Sequence, residues 1–256
     1  MNSDFQLTNR LRKEFASLDD AKGRRRAGIF PAEGTKCVLE LLAAFTPRYI
    51  FSTAEWKEQY ASEIGEYEVI TLKNCELKEL SRLSATPPVI AFFELPEAAP
   101  VPSKKYFEEN LVLALDRVQD PGNLGTILRT ADWMGVHTVL ASHDTVDAFN
   151  PKVVQATMGA LARVSIVYTS LPEVLGGVDA PVYGTFLDGT NIYSSPLTAS
   201  GVIVMGNEGS GISAEVAACV TRRLLIPPYP GGTVESLNVA VATAITLALF
   251  RAPLLK

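Results

Sequence analysis

Residues 120–129 read DPGNLGTILR and follow an apolar, strand-like run at residues 111–115. Two more polar segments occupy the same kind of junction between a strand-like and a helix-like run: MGNEGSG at residues 205–211 and ESLNVA at residues 235–240. Open α/β sheets bind their ligands at the edge where strands pass into helices. The three segments therefore predict a ligand site at one edge of such a sheet.

Around these segments, the C-terminal part of the chain alternates between two kinds of apolar run. The other strand-like runs are residues 138–141, 164–168, 181–187, 202–205 and 224–226, and the helix-like runs are residues 124–134, 151–161, 212–220 and 237–250. Such alternation predicts a mainly parallel sheet that helices cover on both faces.

The N-terminal part predicts a smaller α/β unit. Apolar residues at helical spacing mark residues 35–45, and short strand-like runs occupy residues 48–52, 68–71 and 89–93. The proline-rich stretch 94–105 has no apolar period, which is typical of an extended linker. We expect domains at residues 1–95 and 108–256, joined by a linker at residues 96–107.

The composition narrows the class of protein. The chain has 256 residues, of which 47% are hydrophobic and 20% are charged, as in an ordinary globular protein. No run reaches the roughly 18 apolar residues of a membrane helix, and the first residues lack a secretory signal pattern. We therefore expect a cytoplasmic protein without a membrane partner. Three scattered cysteines and two histidines favour neither a disulfide framework nor a metal site.

One segment is basic although the net charge of the chain is −5. Between residues 10 and 26, seven cations stand against three anions, and Arg24, Arg25 and Arg26 are consecutive. A local basic surface on an acidic body suits a contact with RNA phosphates. A solvated helix end explains the same run about equally well, so both interpretations stay open at this point.

The first segment predicts a helix that begins at Asn123. Arg129 lies off the apolar stripe of this helix and four residues after Gly125, so its side chain should lean over the space that a glycine leaves. That geometry presents a guanidinium group at the ligand edge of the sheet. Taken alone, Arg129 is more simply a surface arginine that pairs with Asp120 or Asp132.

The second and third segments contain residue types suited to ligand binding. The glycines of residues 205–211 allow a ligand to approach the backbone closely, although a merely flexible turn would also use them. Their G-x-x-G-x-G order, late in the sheet and without a ribose-binding acid about 20 residues on, disfavours a dinucleotide site. In the third segment Ser236 is the expected N-cap of the last helix, which leaves Asn238 unexplained in the first turn.

Taken in order, these motifs resemble the SpoU/TrmH branch of the SPOUT RNA methyltransferases. The matching residues are Asn123-x-Gly125-x-x-x-Arg129, then Gly206-Asn207-Glu208-Gly209-x-Gly211, then Ile226-Pro227 through Ser236-Leu237-Asn238-Val239. Residues 150–161 and, more loosely, residues 24–34 are similar as well. Two departures are visible: the loop at residues 227–234 is about two residues longer than the usual form, and residues 239–240 lack the serine that is common there.

The resemblance implies a trefoil-knotted, mainly parallel α/β sheet preceded by a small α/β domain of the ribosomal-protein L30e type, which binds the RNA substrate. It implies S-adenosylmethionine (AdoMet) as the methyl donor, a ribose 2′-hydroxyl of RNA as the acceptor, and a homodimer formed through the C-terminal domain. Ribosomal RNA is the preferred substrate because a separate N-terminal domain is present. Transfer RNA as the substrate, or RNA binding without catalysis, is the alternative.

The resemblance also implies roles for individual residues. The catalytic residues would be Arg129, Asn123, Glu208, Ser236 and Asn238. Because a guanidinium is a poor base, Arg129 is expected to clamp an RNA phosphate and stabilise developing oxyanion charge. The residues expected to hold the cofactor are Thr185, Leu187, Met205, Gly206, Asn207, Gly209, Ile226, Leu237 and Asn238, and those expected to bind RNA are Arg24, Arg25, Arg26 and Arg129.

Overall fold

The chain folds into two units, each with its own sheet. The computed structural model describes residues 5–231 and 236–254, the side chain of Leu254 excepted. Unit 1 comprises Met1–Glu97 together with Asp147–Ala162, and unit 2 comprises Ala98–Val146 together with Arg163–Lys256.

Unit 1 contains a four-stranded mixed sheet. Its strands are β1 (Ile29–Glu33), β2 (Pro47–Ser52), β3 (Ile70–Thr71) and β4 (Val89–Glu94), in the order β1-β4-β2-β3. β4 pairs antiparallel with both β1 and β2, and β3 pairs parallel with β2. The α-helices of unit 1 are Asn9–Ala16, Ala21–Ala27, Thr35–Leu42, Ala54–Gln59, Ala61–Ile64, Asn74–Leu80 and Pro151–Thr157, and short 3-10 turns occupy Ser17–Asp19 and Ala160–Ala162.

Aromatic side chains fill the core of unit 1 on both faces of β4. On one face, Phe92 stacks against Phe15 of the first helix with ring centroids 4.0 Å apart. On the other face, Phe93 packs against Phe30 of β1, with ring centroids 5.7 Å apart. Val89 to Phe93 are all buried for this reason, which explains why β4 is a continuous apolar run in the sequence.

The segment Asp147–Ala162 belongs to unit 1 although unit 2 precedes and follows it in the chain. Asn150 caps the helix Pro151–Thr157 by accepting a 2.9 Å hydrogen bond from the Lys152 amide. The ring of Phe149 lies 4.8 Å from that of Phe30, and the carboxylate of Asp147 forms an ion pair with Arg24. The sequence pattern grouped residues 151–161 with the C-terminal sheet, because these long-range contacts leave no local trace.

Unit 2 contains a six-stranded sheet in which every pair of neighbouring strands is parallel. Its strands are β5 (Leu111–Leu115), β6 (Thr138–Ala141), β7 (Ser165–Tyr168), β8 (Val182–Asn191), β9 (Gly201–Met205) and β10 (Arg222–Leu225), in the order β10-β8-β9-β5-β6-β7. The parallel pairing confirms the predicted α/β class. Every residue of the two central strands, β5 and β9, is buried.

The helices of unit 2 lie before the first of these strands, between the strands, and at the end of the chain. They are Lys104–Glu109, Pro121–Trp133, Leu171–Leu175, Ala214–Ala217 and Val239–Arg251, with 3-10 turns at Ile192–Ser194 and Ala252–Leu254. The first of them begins inside the predicted linker and buries Phe107, so the segment without helix or strand is limited to residues 95–103. In the part of the chain that the structure describes, no helix is long and apolar enough to cross a membrane.

Candidate active site

The helix Pro121–Trp133, called the Arg129 helix below, starts two residues earlier than predicted. Asp120 is its N-cap, and the Oδ1 atom of Asp120 accepts a 2.8 Å hydrogen bond from the Asn123 amide. Proline fits the first helical position, where no amide donor is needed. Asn123 therefore sits in the first turn instead of at the helix start, and its side-chain amide is available for contacts outside the helix.

The helix Val239–Arg251, called the C-terminal helix below, is capped by Asn238 and not by Ser236 as predicted. The Oδ1 atom of Asn238 accepts hydrogen bonds from the amides of Ala240 (2.9 Å) and Val241 (3.3 Å). An asparagine cap satisfies amides that would otherwise have no partner at a helix start. This position accounts for Asn238 in the sequence, where a helix-interior asparagine had no explanation.

A chain of side-chain hydrogen bonds joins the three motifs. Asn123 donates from Nδ2 to Oε1 of Glu208 over 2.8 Å, and Asn238 donates from Nδ2 to Oδ1 of Asn123 over 2.8 Å. Both ends of the Asn123 amide are thus engaged, so its orientation is fixed by the donor and the acceptor. The structure brings together three of the five residues predicted to be catalytic.

The loop at residues 206–213 carries Glu208, is called the Glu208 loop below, and is closed by its own hydrogen bonds. Asn207 and Gly211 exchange two backbone hydrogen bonds of 3.0 Å each, and Oδ1 of Asn207 accepts from the amides of Gly209 (2.9 Å) and Ser210 (3.0 Å). A Cβ atom on Gly206 would lie 2.3 Å from the backbone carbon of Gly211, so only glycine fits there. These bonds define one loop shape, which argues against a turn chosen only for flexibility.

Arg129 is exposed on its helix, and within residues 5–231 and 236–254 no hydrogen bond or ion pair engages its guanidinium. The two acids considered as surface partners have other contacts. Asp132 forms a bidentate pair with Arg163, at 2.9 Å for the closest contact, and Asp120 caps the helix. The guanidinium of Arg129 therefore faces solvent and is accessible to an anionic ligand.

Ser236, the fifth residue predicted to be catalytic, is exposed and does not cap the C-terminal helix. It follows residues 232–235, which lie outside the described part of the chain. Residues 232–234 of the lengthened loop at residues 227–234 are among them. The predicted role of Ser236 therefore stays a prediction.

The residues predicted to hold the cofactor lie where the strands end. β8 pairs with β9 only as far as Gly184, so Thr185 and Leu187 lie beyond the point at which the two strands separate. Met205 is the last residue of β9, and Ile226 directly follows β10. The remaining positions belong to the Glu208 loop and to the start of the C-terminal helix, namely Gly206, Asn207, Gly209, Leu237 and Asn238.

This edge of unit 2 suits a ligand with an apolar ring and a polar tail. Leu187 and Leu237 expose 77% and 48% of their surface and therefore offer apolar contact area. An adenine ring would cover such side chains, and main-chain groups of glycine-containing loops would supply polar contacts. The residues present therefore fit AdoMet.

The consecutive arginines of unit 1 have two different environments. Arg24 is only 2% exposed, and its guanidinium donates to the carbonyls of Leu18 (2.7 Å) and Asp19 (3.1 Å) and to the carboxylate of Asp147. These contacts inside unit 1 remove Arg24 from the surface, which argues against its predicted RNA contact. Arg25 and Arg26 are exposed in the last turn of the helix Ala21–Ala27.

The helix Ala21–Ala27, which carries these arginines, begins at a residue whose side chain caps it. Asp20 caps it by accepting hydrogen bonds from the amides of Lys22 and Gly23 (3.0 Å for the latter). Those amides, chiefly that of Gly23, lower the pKa of the Asp20 carboxyl. Asp20 is therefore a capping residue, which accounts for one of the three anions in the basic segment.

Two residues that the sequence did not single out stand beside the Glu208 loop. Asp116, directly after β5, is buried, and its Oδ2 atom accepts a 2.6 Å hydrogen bond from the Ser213 amide. Arg117 follows it, and its carbonyl accepts a 2.8 Å hydrogen bond from Nδ2 of Asn207. A charged pair that ends a wholly apolar strand is the one sequence signal that marks this position.

Comparison with known families supports the motif assignment. The model of the SpoU rRNA methylase family matches residues 110–248, which is more than half of the chain. The chain belongs to the SpoU rRNA methylase family. The model of an MRM3-like substrate-binding domain matches residues 9–91, which lie in unit 1. The three hydrogen-bonded residues Asn123, Glu208 and Asn238 and the exposed Arg129 all fall inside the SpoU match.

Individual proteins and solved structures are similar to the chain over different lengths. A 23S rRNA (guanosine(2553)-2′-O)-methyltransferase from Bacillus subtilis is 40% identical over 149 residues, which cover 57% of this chain and 59% of that protein. A TrmH-family structure from Porphyromonas gingivalis is 42% identical, with a TM-score of 0.85, and covers 97% of this chain and 100% of that one. An AdoMet-bound rRNA methyltransferase from Sinorhizobium meliloti is 30% identical, with a TM-score of 0.85, and covers 98% and 97%.

Proposed function

We propose that this protein transfers a methyl group from AdoMet to a ribose 2′-hydroxyl in ribosomal RNA. The observation that carries the proposal is the hydrogen-bonded row Glu208, Asn123 and Asn238, which joins all three motifs at one sheet edge. Membership of the SpoU rRNA methylase family supports it, as do the similar 23S rRNA 2′-O-methyltransferase and the similar AdoMet-bound rRNA methyltransferase.

Positioning is the main task of the protein in this reaction. AdoMet supplies, when bound, a sulfonium-activated methyl group that a ribose oxygen can attack. The chain must hold the hydroxyl in line with that methyl group and exclude other approaches. Correct placement of two reactants is worth up to about 7–11 kcal/mol of the barrier, which exceeds what any single proton transfer contributes.

Arg129 acts on the RNA in this proposal. Guanidinium groups keep their proton in proteins, so Arg129 is a poor acceptor for the hydroxyl proton. Its donors suit a phosphate oxygen next to the reacting ribose and the charge that develops on the 2′-oxygen. Its exposure, and the engagement of Asp132 by Arg163, leave the guanidinium available for that contact.

The row of amides and the carboxylate keeps the site in one arrangement. The carboxylate of Glu208 fixes the donor end of the Asn123 amide, and Asn238 fixes the acceptor end. Asn123 lies in the first turn of one helix and Asn238 caps another, and the two helices pack against each other. In this proposal the row orients the helix that carries Arg129 relative to the cofactor loops.

AdoMet is held by the middle of β8, by the ends of β9 and β10, and by the start of the C-terminal helix. Leu187, Ile226 and Leu237 provide apolar surface for the adenine, and the backbone of residues 205–209 provides polar contacts. The exposure of Leu187 and Leu237 supports this placement.

The finer architecture expected from the resemblance also belongs to the proposal. In unit 2 the C-terminal part threads through an earlier loop to form a trefoil knot, and unit 1 is an L30e-like RNA-binding domain. The strand order, in which β9 inserts between β5 and β8, supports the knotted arrangement. The match to a substrate-binding domain supports the role of unit 1.

Assembly into a homodimer through unit 2 is part of the same proposal. Val241 on the C-terminal helix and Trp133 at the end of the Arg129 helix expose 49% and 86% of their surface. Large exposed apolar side chains on two packed helices are typical of an interface.

The proposal also includes a location in the cytoplasm. The three unpaired cysteines support this location.

A methyl-transfer assay tests the proposed function. Purified protein is incubated with radiolabelled AdoMet and with unmodified ribosomal RNA or unmodified transfer RNA. Label in ribosomal RNA alone is the expected result, whereas label in transfer RNA alone would assign the other substrate. Absence of label from both RNAs, with RNA binding retained, would replace the enzyme with a binding module.

A further inference from the structure

Asp116 and Arg117 together hold the Glu208 loop, residues 206–213, from outside. The Asp116 carboxylate accepts from the Ser213 amide at one end of the loop. The Arg117 carbonyl accepts from Nδ2 of Asn207 at the other end. The guanidinium Nη2 of Arg117 lies 3.4 Å from the Gly211 carbonyl between them. The loop is thus attached at three points to the residue pair that ends β5.

Arg117 adopts a backbone conformation that side chains other than glycine rarely take. Its φ angle is +59°, in the left-handed region. Its amide donates a 2.8 Å hydrogen bond to Oγ of Ser142, and its carbonyl points to Asn207. In this conformation the amide and the carbonyl reach these two partners, and the guanidinium reaches the Gly211 carbonyl.

The side chain of Arg117 has a second unfavourable feature, a buried donor without an acceptor among the described residues. Its Nε atom is buried and has no hydrogen-bond acceptor among the described residues, although the Asp116 carboxylate lies 3.4 Å away. Glycine at this position would remove both the backbone strain and the buried donor. Strained residues of this kind persist where surrounding contacts fix them, and they cluster at functional sites.

We propose that Arg117 is a positioning residue that fixes the shape of the Glu208 loop for AdoMet binding. This inference rests on the proposed function, because it assigns the loop to the methyl donor. The two ends of the Asn207 side-chain amide have different partners. Oδ1 accepts from the Gly209 amide within the loop, and Nδ2 donates to the Arg117 carbonyl. Arg117 therefore acts on the cofactor and on Glu208 through the loop, without contact to the reacting atoms.

The Arg117→Gly variant separates positioning from a general contribution to folding. Glycine keeps the left-handed backbone and its carbonyl but removes the guanidinium. We expect the melting temperature to stay unchanged or to rise, and the Kd for AdoMet measured by calorimetry to increase about tenfold, equal to about 1.4 kcal/mol. Arg117→Lys, which restores a cation near Gly211, should recover part of the affinity. Arg222→Ala should leave both the melting temperature and the Kd for AdoMet unchanged. Arg222 is the exposed first residue of β10, at the strand end away from Ile226.

Hydrogen exchange in the unliganded protein gives a second readout. Amides of residues 206–213 should exchange faster in Arg117→Gly, and also in Asn207→Asp, which keeps the inner acceptor but replaces the donor to the Arg117 carbonyl. Unchanged exchange in both variants would overturn the inference, and so would wild-type AdoMet affinity in Arg117→Gly. A wild-type protein that binds no AdoMet would contradict the proposed function, while the exchange result would still decide whether Arg117 shapes the loop.

Discussion

Asn123 donates a 2.8 Å hydrogen bond from its side-chain amide to the carboxylate of Glu208, a residue 85 positions later in the chain. The same amide accepts from Asn238 through its other end. Each of the three residues comes from a different motif, so the two hydrogen bonds tie the Arg129 helix to the Glu208 loop and to the C-terminal helix. The site is consequently cooperative, and changes at its members should not be additive.

Exchanging the two groups of the Asn123–Glu208 bond tests this coupling. In Asn123→Asp two carboxylates oppose each other, and the loss of a hydrogen bond to a charged group costs about 1.5–3 kcal/mol. We expect kcat/KM for methyl transfer to fall by about 10- to 100-fold. The double variant Asn123→Asp with Glu208→Gln restores a donor–acceptor pair of reversed direction and should recover much of that loss. Equal activity of the single and double variants would contradict the coupling.

Asn238 has two functions that different substitutions separate. Asn238→Ala removes the N-cap of the C-terminal helix and should lower the free energy of unfolding by about 0.5–2 kcal/mol. Asn238→Asp keeps the cap acceptor but loses the donor to Asn123, so it should retain most stability and lose activity. Ser236→Ala serves as the control for stability alone, because Asn238 and not Ser236 caps the helix. Chemical denaturation and methyl-transfer rates measure the two effects; a Ser236→Ala variant as unstable as Asn238→Ala would contradict the cap assignment.

The consecutive arginines of unit 1 should behave differently from one another. Arg24→Ala leaves the Leu18 carbonyl without its donor and the Oδ2 atom of Asp147 without its ion-pair partner, so the free energy of unfolding should fall by about 1–3 kcal/mol. Replacing exposed Arg25 and Arg26 by alanine should change it by less than about 0.5 kcal/mol.

The double replacement of Arg25 and Arg26 should act on RNA binding instead. Each lost phosphate contact lowers the slope of log affinity against log salt by about 0.7–0.9. A salt titration of RNA binding measures this slope. If the Arg25 and Arg26 double variant keeps the wild-type slope, the basic segment is a solvated helix end.

The exposed apolar side chains of unit 2 allow a test of the homodimer. Val241→Asp places a charge on the C-terminal helix at the proposed interface, and light scattering should then detect a monomer. Val101→Asp, a comparably exposed valine of the same unit, should leave the dimer intact. A wild-type protein that is already monomeric at micromolar concentration would contradict the interface.

Local sequence pattern predicts those parts of the fold that are set by burial. β5 and β6 have the predicted bounds because continuous apolar runs mark strands that are covered on both faces. Helix starts were less accurate: the pattern identified the apolar stripe of the Arg129 helix, whereas the start depends on Asp120 and Pro121, which lie before that stripe.

Features that depend on distant contacts left no readable pattern. Asp147–Ala162 packs in unit 1 through Arg24 and Phe30, which are more than 100 residues away. The left-handed conformation of Arg117 was not predicted, because glycine or asparagine normally marks such a position. Arg24 looked like its neighbours in sequence, and only the fold distinguishes its buried side chain from the exposed Arg25.

The most direct test of ribose 2′-O-methylation by this protein is the nucleoside composition of unmodified ribosomal RNA after incubation with AdoMet and protein. Mass spectrometry of the digested RNA should find one 2′-O-methylated nucleoside with the wild-type protein and with the control variant Arg222→Ala. Arg222 is an exposed arginine at the start of β10. Arg129→Ala should yield at most a trace of that nucleoside. A product methylated on a base, no product with the wild-type protein, or equal product with Arg129→Ala would contradict the account.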